Sequence, residues 1–259
     1  MSVLPQLRNK ERTKLPMKNL ATILISFLIS LTVFSQTVND KLKISHLTGD
    51  FYVYTTYNSY KGSLVSANAM YLVTSNGVVM FDTSWDTTQF QPLLDSISIK
   101  HKQKVVLCLA THSHEDRTGG LEFLKKKGVR TFTSKITDEQ CKVNHYPRAE
   151  FTFVKDTVFT VGNTSFQTFY GGPGHTIDNI VIWFPETKIL YGGCLIKSSE
   201  ATDLGYVGEA DLKKWPATIQ KIQKKFGQPQ FIIPGHQDWT SRKALDHTLE
   251  LLNENEKQN

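Results

Sequence analysis

Cysteine is scarce: three residues in 259, at Cys108, Cys141 and Cys194. So few thiols cannot build a disulfide framework, so each is either buried and inert or has chemistry to perform. No repeat and no low-complexity linker interrupts the chain. The ordinary composition, 39% hydrophobic, 21% charged and 11% aromatic, excludes collagen-like, coiled-coil and mucin-like chains. Long apolar runs are missing with one exception. Leu20 to Phe34 is uncharged and nearly all apolar, but its 15 residues fall short of the roughly 20 that a membrane-spanning helix takes. It fits the apolar region of a secretory leader, with Met17, Lys18 and Asn19 as a short basic lead-in and small Ser35 before a cleavage point at Gln36. No cysteine follows it, which excludes a lipoprotein. Residues 1–35 are therefore expected to be an N-terminal extension and secretory signal peptide, and 36–259 the functional domain.

A strong excess of one charge is also absent once the leader is set aside. The full chain carries 30 Lys+Arg against 24 Asp+Glu, a net +6. Residues 1–35 hold five basic residues and one acidic residue, leaving 25 against 23, or +2. That balance gives no reason to expect a nucleic-acid partner.

From Thr37 short β-branched apolar runs alternate with helical patterns. Length and residue type predict strands at Phe51 to Tyr57, Ala69 to Thr74, Gly77 to Phe81, Val105 to Ala110, Thr157 to Val161, Ser165 to Phe169, Ile180 to Phe184, Lys188 to Tyr191 and Phe231 to Ile233. Two segments have helical period. In the first, Trp215, Ile219, Ile222 and Phe226 share a face and Gly227 is a natural stop; in the second, Ser241 is expected to cap a helix with Leu245, Leu249 and Leu252 on its buried stripe. The pattern predicts one α/β domain of two β-rich halves with helices outside.

The chemistry lies where strand-like runs end. After Ala110 comes Thr111-His112-Ser113-His114-Glu115-Asp116-Arg117-Thr118-Gly119-Gly120. Imidazoles two residues apart, with a carboxylate two further on, suit a tight loop better than a helix, where ligands pair at i and i+4. Gly119 and Gly120 are expected to turn the backbone sharply into a helix carrying Leu121 and Leu124. Three further pieces follow other strands: Gly171-Gly172-Pro173-Gly174-His175-Thr176, Gly192-Gly193-Cys194 and Ile232-Ile233-Pro234-Gly235-His236. Each is weak alone, since a lone His or Cys is more often a packed residue than a ligand. Together they offer six ligands, His112, His114, Asp116, His175, Cys194 and His236. Imidazole, thiolate and carboxylate suit zinc, and six are too many for one tetrahedral ion with an open position. His46, His101, His145 and His247 lack this context and read as structural or solvent-facing, and Cys108 and Cys141 as unligated thiols.

HSHEDR, GPGHTIDN, GGCLIK, IIPGH and the stretch LGYVGEAD together resemble the subclass B1 enzymes of the metallo-β-lactamase superfamily, over about Leu42 to the last helix, and among them the chromosomal carbapenemases of the Flavobacterium and Chryseobacterium group. The resemblance implies an αβ/βα four-layer sandwich, with two central mixed β-sheets and helices outside. It implies two zinc ions per chain, the first held by His112, His114 and His175, the second by Asp116, Cys194 and His236. The implied activity is zinc-dependent hydrolysis of the β-lactam ring of penicillins, cephalosporins and carbapenems, conferring antibiotic resistance. Zinc supplies a nucleophile at neutral pH by lowering the pKa of its water to about 7, with Asp116 orienting it. Lys197, the lysine of the GGCxxK motif, is implied to bind the substrate carboxylate. Tyr206 stands where many relatives have a carbonyl-polarising asparagine, and the resemblance makes it a substrate-binding candidate. Tyr57 to Ala67 matches the mobile hairpin that closes over substrate, and Trp85 the apolar cleft wall. A monomeric periplasmic enzyme acting on a small-molecule β-lactam, free of the membrane after leader cleavage, is expected. Glyoxalase-II-like thioesterases and lactonases share the fold. Those usually carry a histidine after the aspartate and a bridging second aspartate, where this chain has Arg117 and Cys194.

Overall fold

The predicted β-branched runs pair into two mixed sheets in the computed structural model, which describes residues 41–154 and 156–258; the expected leader and its boundary at residue 36 lie outside the described residues. Strands β1 (Leu42–Thr48), β2 (Phe51–Tyr60), β3 (Ser63–Thr74), β4 (Gly77–Phe81), β5 (Val105–Leu109), β6 (Arg130–Ser134) and β7 (Phe151–Phe153) make a seven-stranded sheet in chain order. Pairing is antiparallel up to β4 and parallel from β4 to β7. Strands β8 (Val158–Val161), β9 (Thr164–Phe169), β10 (Val181–Phe184), β11 (Ile189–Gly193) and β12 (Phe231–Pro234) make the second sheet, in the order β12-β11-β10-β9-β8, with only β11 and β12 parallel. A short 3-10 helix (Thr87–Gln89) and six α-helices complete the described chain: α1 (Phe90–His101), α2 (Glu115–Thr118), α3 (Leu121–Lys126), α4 (Lys135–Val143), α5 (Trp215–Phe226) and α6 (Ala244–Gln258).

Three apolar interfaces define four layers. Between the sheets, Phe51, Met70, Phe81, Leu109, Phe166, Ile182 and Phe184 are buried together, and Phe81 meets Phe166 and Phe184 edge-on at 4.9 and 5.1 Å. Each such side chain contributes about 1.5–3 kcal/mol by leaving water. Leu93 and Ile97 of α1 and Leu121 and Leu124 of α3 cover the outer face of the first sheet against Met80 and Cys108. On the second sheet, α5 buries the expected face of Trp215, Ile219, Ile222 and Phe226, and α6 adds Leu245, Leu251 and Leu252. The four-layer αβ/βα sandwich is therefore as expected.

Several local expectations change. The hairpin expected over Tyr57 to Ala67 is present with longer paired arms: β2 and β3 stay paired to Tyr60 and Ser63 and turn at Lys61 and Gly62, both with positive φ. Polar residues on both faces hid that pairing. The same cause hid β6, a polar Arg-Thr-Phe-Thr-Ser run. Gly119 and Gly120 keep helical φ values of −54° and −88°. They make no sharp turn but permit close packing, since a Cβ at 120 would stand 2.9 Å from Thr83 Cβ. Ser241 accepts from the Lys243 N–H at 3.2 Å, so it caps a turn ahead of α6 rather than the helix, and Leu249 of the expected stripe is only half-buried.

Candidate metal centre

The parallel pairing of β4 with β5 and of β11 with β12 sends their carboxyl ends to one edge of the sandwich. Just past β4, Asp82 accepts from Thr111 N–H at 2.6 Å and Thr111 Oγ1–H at 2.9 Å, which pins the start of the histidine loop. His112 and His114 lie in that loop, whereas Asp116 and Arg117 sit on the single turn of α2. His175 comes from the loop after β9, tied by Thr176 N–H to Asn179 Oδ1 at 2.9 Å and Asn179 Nδ2–H to the Gly172 carbonyl at 3.0 Å. Gly193 turns the chain into Cys194 with φ 53°, and a Cβ there would stand 3.1 Å from Thr111 Oγ1. His236 follows β12 and Gly235.

The fold brings all six expected donors together in two abutting sets. The rings of His112, His114 and His175 stand 4.9–5.1 Å apart pairwise and nearly perpendicular, at 75–88°, and their donor nitrogens lie within 4.8 Å of one another. Asp116 Oδ2, Cys194 Sγ and His236 Nε2 form a triangle with edges of 3.4, 3.2 and 3.3 Å. A tetrahedral zinc with bonds of 2.0–2.3 Å spaces its ligands about 3.3–3.6 Å apart. His112, Asp116 and Cys194 are themselves mutually within 4.8 Å, so the sets share a wall.

The donor chemistry fits zinc. His112 Nε2 is buried with no hydrogen-bond partner, a costly state for a polar atom unless a ligand meets it. Burial, then the neighbouring His114, pushes the His112 pKa down; burial, then Lys197, does the same for His175. Both imidazoles are thus neutral, as ligation requires. Burial alone would raise Asp116, but the Arg117 guanidinium and His236 hold it well below the usual carboxylate range. Burial would lower His236, yet Cys194 and Asp116 outweigh it and lift the imidazole to about 9. Metal binding at that triangle therefore displaces a proton.

Sequence reasoning missed the cation that holds the triangle. Arg117 is fully buried. Its Nη1 donates to the Asn68 carbonyl at 2.7 Å, Tyr191 Oη at 3.3 Å and Asp82 Oδ2 at 3.5 Å. Its Nη2 donates to the Gly235 carbonyl at 2.9 Å and to Cys194 Sγ and Asp116 Oδ2 at 3.0 Å each. Burial pushes its partner Asp82 up to about 6 despite that guanidinium. A charged residue next to a ligand was the available signal, but its partners lie 49 residues before it and 118 after it.

Above the donors opens a cleft of about 500 Å³ whose walls include Trp85, Lys197, Tyr206 and His236. Trp85 meets His236 edge-on at 6.1 Å, and the His236 Nδ1–H donates to the Ser66 carbonyl at 2.6 Å. Tyr206 stands edge-on to His114 at 5.6 Å, with its hydroxyl turned against Gly208. His114 Nε2 lies 3.4 Å from a Glu209 carboxylate oxygen but makes no hydrogen bond to it. The remaining histidines are engaged elsewhere or exposed: His46 with the Gly49 carbonyl, His101 with Tyr71, and His247 with Glu250 and Ala201. Cys108 and Cys141 are buried free thiols.

An αβ/βα sandwich with two abutting sets of nitrogen, sulfur and oxygen donors at one edge has the make-up of a metal-dependent enzyme. The model of the metallo-beta-lactamase superfamily matches residues 62–251. A metallo-beta-lactamase type 2 of Elizabethkingia meningoseptica is 44% identical over 90% of this chain and 94% of its own length. Metallo-beta-lactamase IND-1 of Chryseobacterium indologenes is 40% identical over 91% of this chain and 98% of its own. The crystal structure of metallo-beta-lactamase IND-7 superposes with a TM-score of 0.81 at 41% identity, covering 84% of this chain and all of that one. The chain belongs to the metallo-beta-lactamase superfamily, and its likeness is to the B1-type enzymes.

Proposed function

We propose that the protein hydrolyses the β-lactam ring and so confers resistance to penicillins, cephalosporins and carbapenems. The observation that carries this reading is the pair of abutting donor sets at the floor of an open cleft. His112, His114 and His175 would hold one zinc, and Asp116, Cys194 and His236 the other. Zinc, when bound, acidifies its water to a pKa of about 7 and polarises a carbonyl. The residues supply the rest. Asp116, kept ionised by Arg117, would serve as a ligand and accept a hydrogen bond from the cleft side, and Glu209 places a carboxylate 3.4 Å from His114 Nε2. Lys197, 9% exposed on the cleft wall, offers its ammonium to a substrate carboxylate, which fits a substrate carrying that group beside its scissile amide. Tyr206 and Trp85 bound the cleft as apolar walls, and Tyr206, its hydroxyl turned to Gly208, is a contact surface rather than an oxyanion donor.

We further infer a monomeric enzyme of the periplasm, delivered by the leader over residues 1–35. The basic lead-in, short apolar run and small Ser35 support it. Among the described residues no helix is long and apolar enough to cross a membrane.

The test is hydrolysis of imipenem, a cephalosporin and S-lactoylglutathione by zinc-loaded protein, with and without chelator. Turnover of both β-lactams, lost on chelation and regained with zinc, is expected. Absent β-lactam turnover in zinc-replete protein, or turnover surviving zinc removal, overturns the reading; turnover of the thioester alone points to the thioesterase alternative.

A further inference from the structure

Lys197 has a partner that its motif does not announce. Its Nζ stands 5.2 Å from the centre of the Trp215 ring, and Trp215 is fully buried as the first residue of α5. Two contacts and one close approach fix that ring. Its Nε1–H donates to the carbonyl of Leu195, the residue after Cys194, at 3.0 Å. Its ring lies 5.9 Å from that of His175. Gly174 makes the room, since a Cβ there would stand 3.0 Å from Trp215 Cδ1. The lysine is anchored at its other end as well: its backbone N–H donates to Thr248 Oγ1 at 2.8 Å, and that hydroxyl donates to the Ala244 carbonyl at 2.6 Å.

A lysine only 9% exposed has given up much of its hydration, and that loss needs compensation. Among the described residues no carboxylate stands within 4.0 Å of Lys197 Nζ. The negative face of an indole supplies an attraction that desolvation strengthens. A lysine stem is otherwise flexible, and ordering it only when substrate arrives would weaken binding. Because an ammonium has three donors, one side can rest on the ring while the others face the cleft.

We infer that Trp215 is a positioning residue for substrate-carboxylate binding: its ring face holds the Lys197 ammonium at the cleft wall in advance, and the same ring packs on the metal-site residue His175 and ties down Leu195. This rests on the reading of Lys197 as the carboxylate-binding residue. The ring thus couples two positions that the sequence separates, so a disturbance of its charge distribution acts on substrate affinity and leaves the chemical step alone.

The test replaces Trp215 site-specifically with tryptophans bearing one to four fluorines, which keep ring size and N–H while draining the negative face. With zinc-loaded enzyme, KM for a chromogenic cephalosporin is expected to climb with each fluorine to about tenfold, or about 1.4 kcal/mol. Over the same series kcat, zinc content and KM for the methyl ester of that cephalosporin stay level. A purely structural role moves neither KM selectively, since the shape is unchanged. Trp215→Phe, which keeps a weaker ring face, is the independent variant and should raise KM for the acid about threefold. A KM that is flat or falls along the series overturns the inference. Lys197→Ala separates the two readings. If it leaves KM for the acid unchanged, the carboxylate reading fails and takes the Trp215 role with it; if KM rises while the fluorine series is flat, only the Trp215 role fails.

Discussion

Replacing Arg117 with methionine tests whether the metal centre stands on a buried charge. Methionine fills most of the stem, so the cavity cost is small, and what is removed is a guanidinium with six acceptors within 3.5 Å. One backbone acceptor keeps a partner: the Gly235 carbonyl holds the Asn68 N–H at 2.8 Å. The Tyr191 hydroxyl has a single hydrogen, committed to Asp82 Oδ2 at 2.6 Å rather than to the Asn68 carbonyl at 3.3 Å. The loss falls on both carboxylates that the guanidinium faces, but Asp116 keeps His236 at 3.3 Å whereas Asp82 is fully buried and left with no cation. Removing one partner of a buried ion pair costs about 3–5 kcal/mol. An orphaned carboxyl already raised to about 6 can take up a proton, which caps the loss near the lower end, about 3 kcal/mol.

The assay is urea unfolding of metal-free protein at pH 7, where a slope of about 2–3 kcal/mol per molar turns that loss into a midpoint shift of roughly 1 M. Because the cost is the uncompensated charge and not the lost volume, Asp82→Asn combined with Arg117→Met should recover a good part of it. The expected coupling is about 1.5 kcal/mol. A single variant within about 0.5 kcal/mol of the parent, or a double variant no more stable than the single one, refutes the argument.

Cys194→Ser should lower zinc content at limiting metal from two ions per chain toward one and reduce β-lactam turnover with it; metal analysis that still finds two refutes the assignment of Cys194 to the second zinc. Gly235→Ala puts a Cβ 2.7 Å from the Cys194 backbone nitrogen and 2.8 Å from Arg117 Nη2 and Cys194 Sγ. That overpacking is expected to cost about 2 kcal/mol and lower Tm by about 4–8 °C, and an unchanged Tm would show that the seam relaxes freely. Asp82 gives a pH signature in the metal-free protein. Burial raises its carboxyl from 3.8 to about 6, so the fold favours the acid form; the penalty for ionising is absent below about pH 4 and complete above about pH 6. Stability measured relative to Asp82→Asn should therefore fall by about 3 kcal/mol as pH rises between those limits, and a flat or rising difference contradicts it.

Most of the ligands were legible because they follow closely on an apolar run of strand length, which carries them to the sheet edge; His175 was legible through the glycine-rich turn in front of it, six residues past the half-polar β9. The central strands were legible for the same reason, being β-branched and buried on both faces. β6 and the outer half of the β2–β3 hairpin were hidden because half-polar strands are defined by their partners' hydrogen bonds, which no local pattern records. α1 was hidden by Pro92 and two isoleucines, although Leu93 and Ile97 keep the i, i+4 spacing of a buried face. The supports of the site were illegible for a different reason. Asp82, Arg117 and Trp215 look like ordinary residues in sequence, and their roles exist only as distances across the fold.

Those supports also explain why the two sets cannot form in either half alone. His112, His114 and Asp116 come from the end of the seven-stranded sheet, while His175, Cys194 and His236 come from the five-stranded one. Each donor set therefore draws on both sheets, two residues from one and one from the other. The first set is anchored through Thr111 on Asp82, the second through the guanidinium on Cys194 and Gly235. Arg117 rides on the first half and donates to Tyr191, Cys194 and Gly235 of the second, so it bridges the seam at the level of the donors while the phenylalanine cluster closes it below. Metal bound to both sets would add a third fastening across the same seam, and its binding free energy would appear as stability of sheet against sheet. Substitutions at the hairpin rim or at Lys221, Lys224 and Lys225 of α5 leave that seam alone, whereas a change of one methyl at Gly235 reaches a ligand and its cation together.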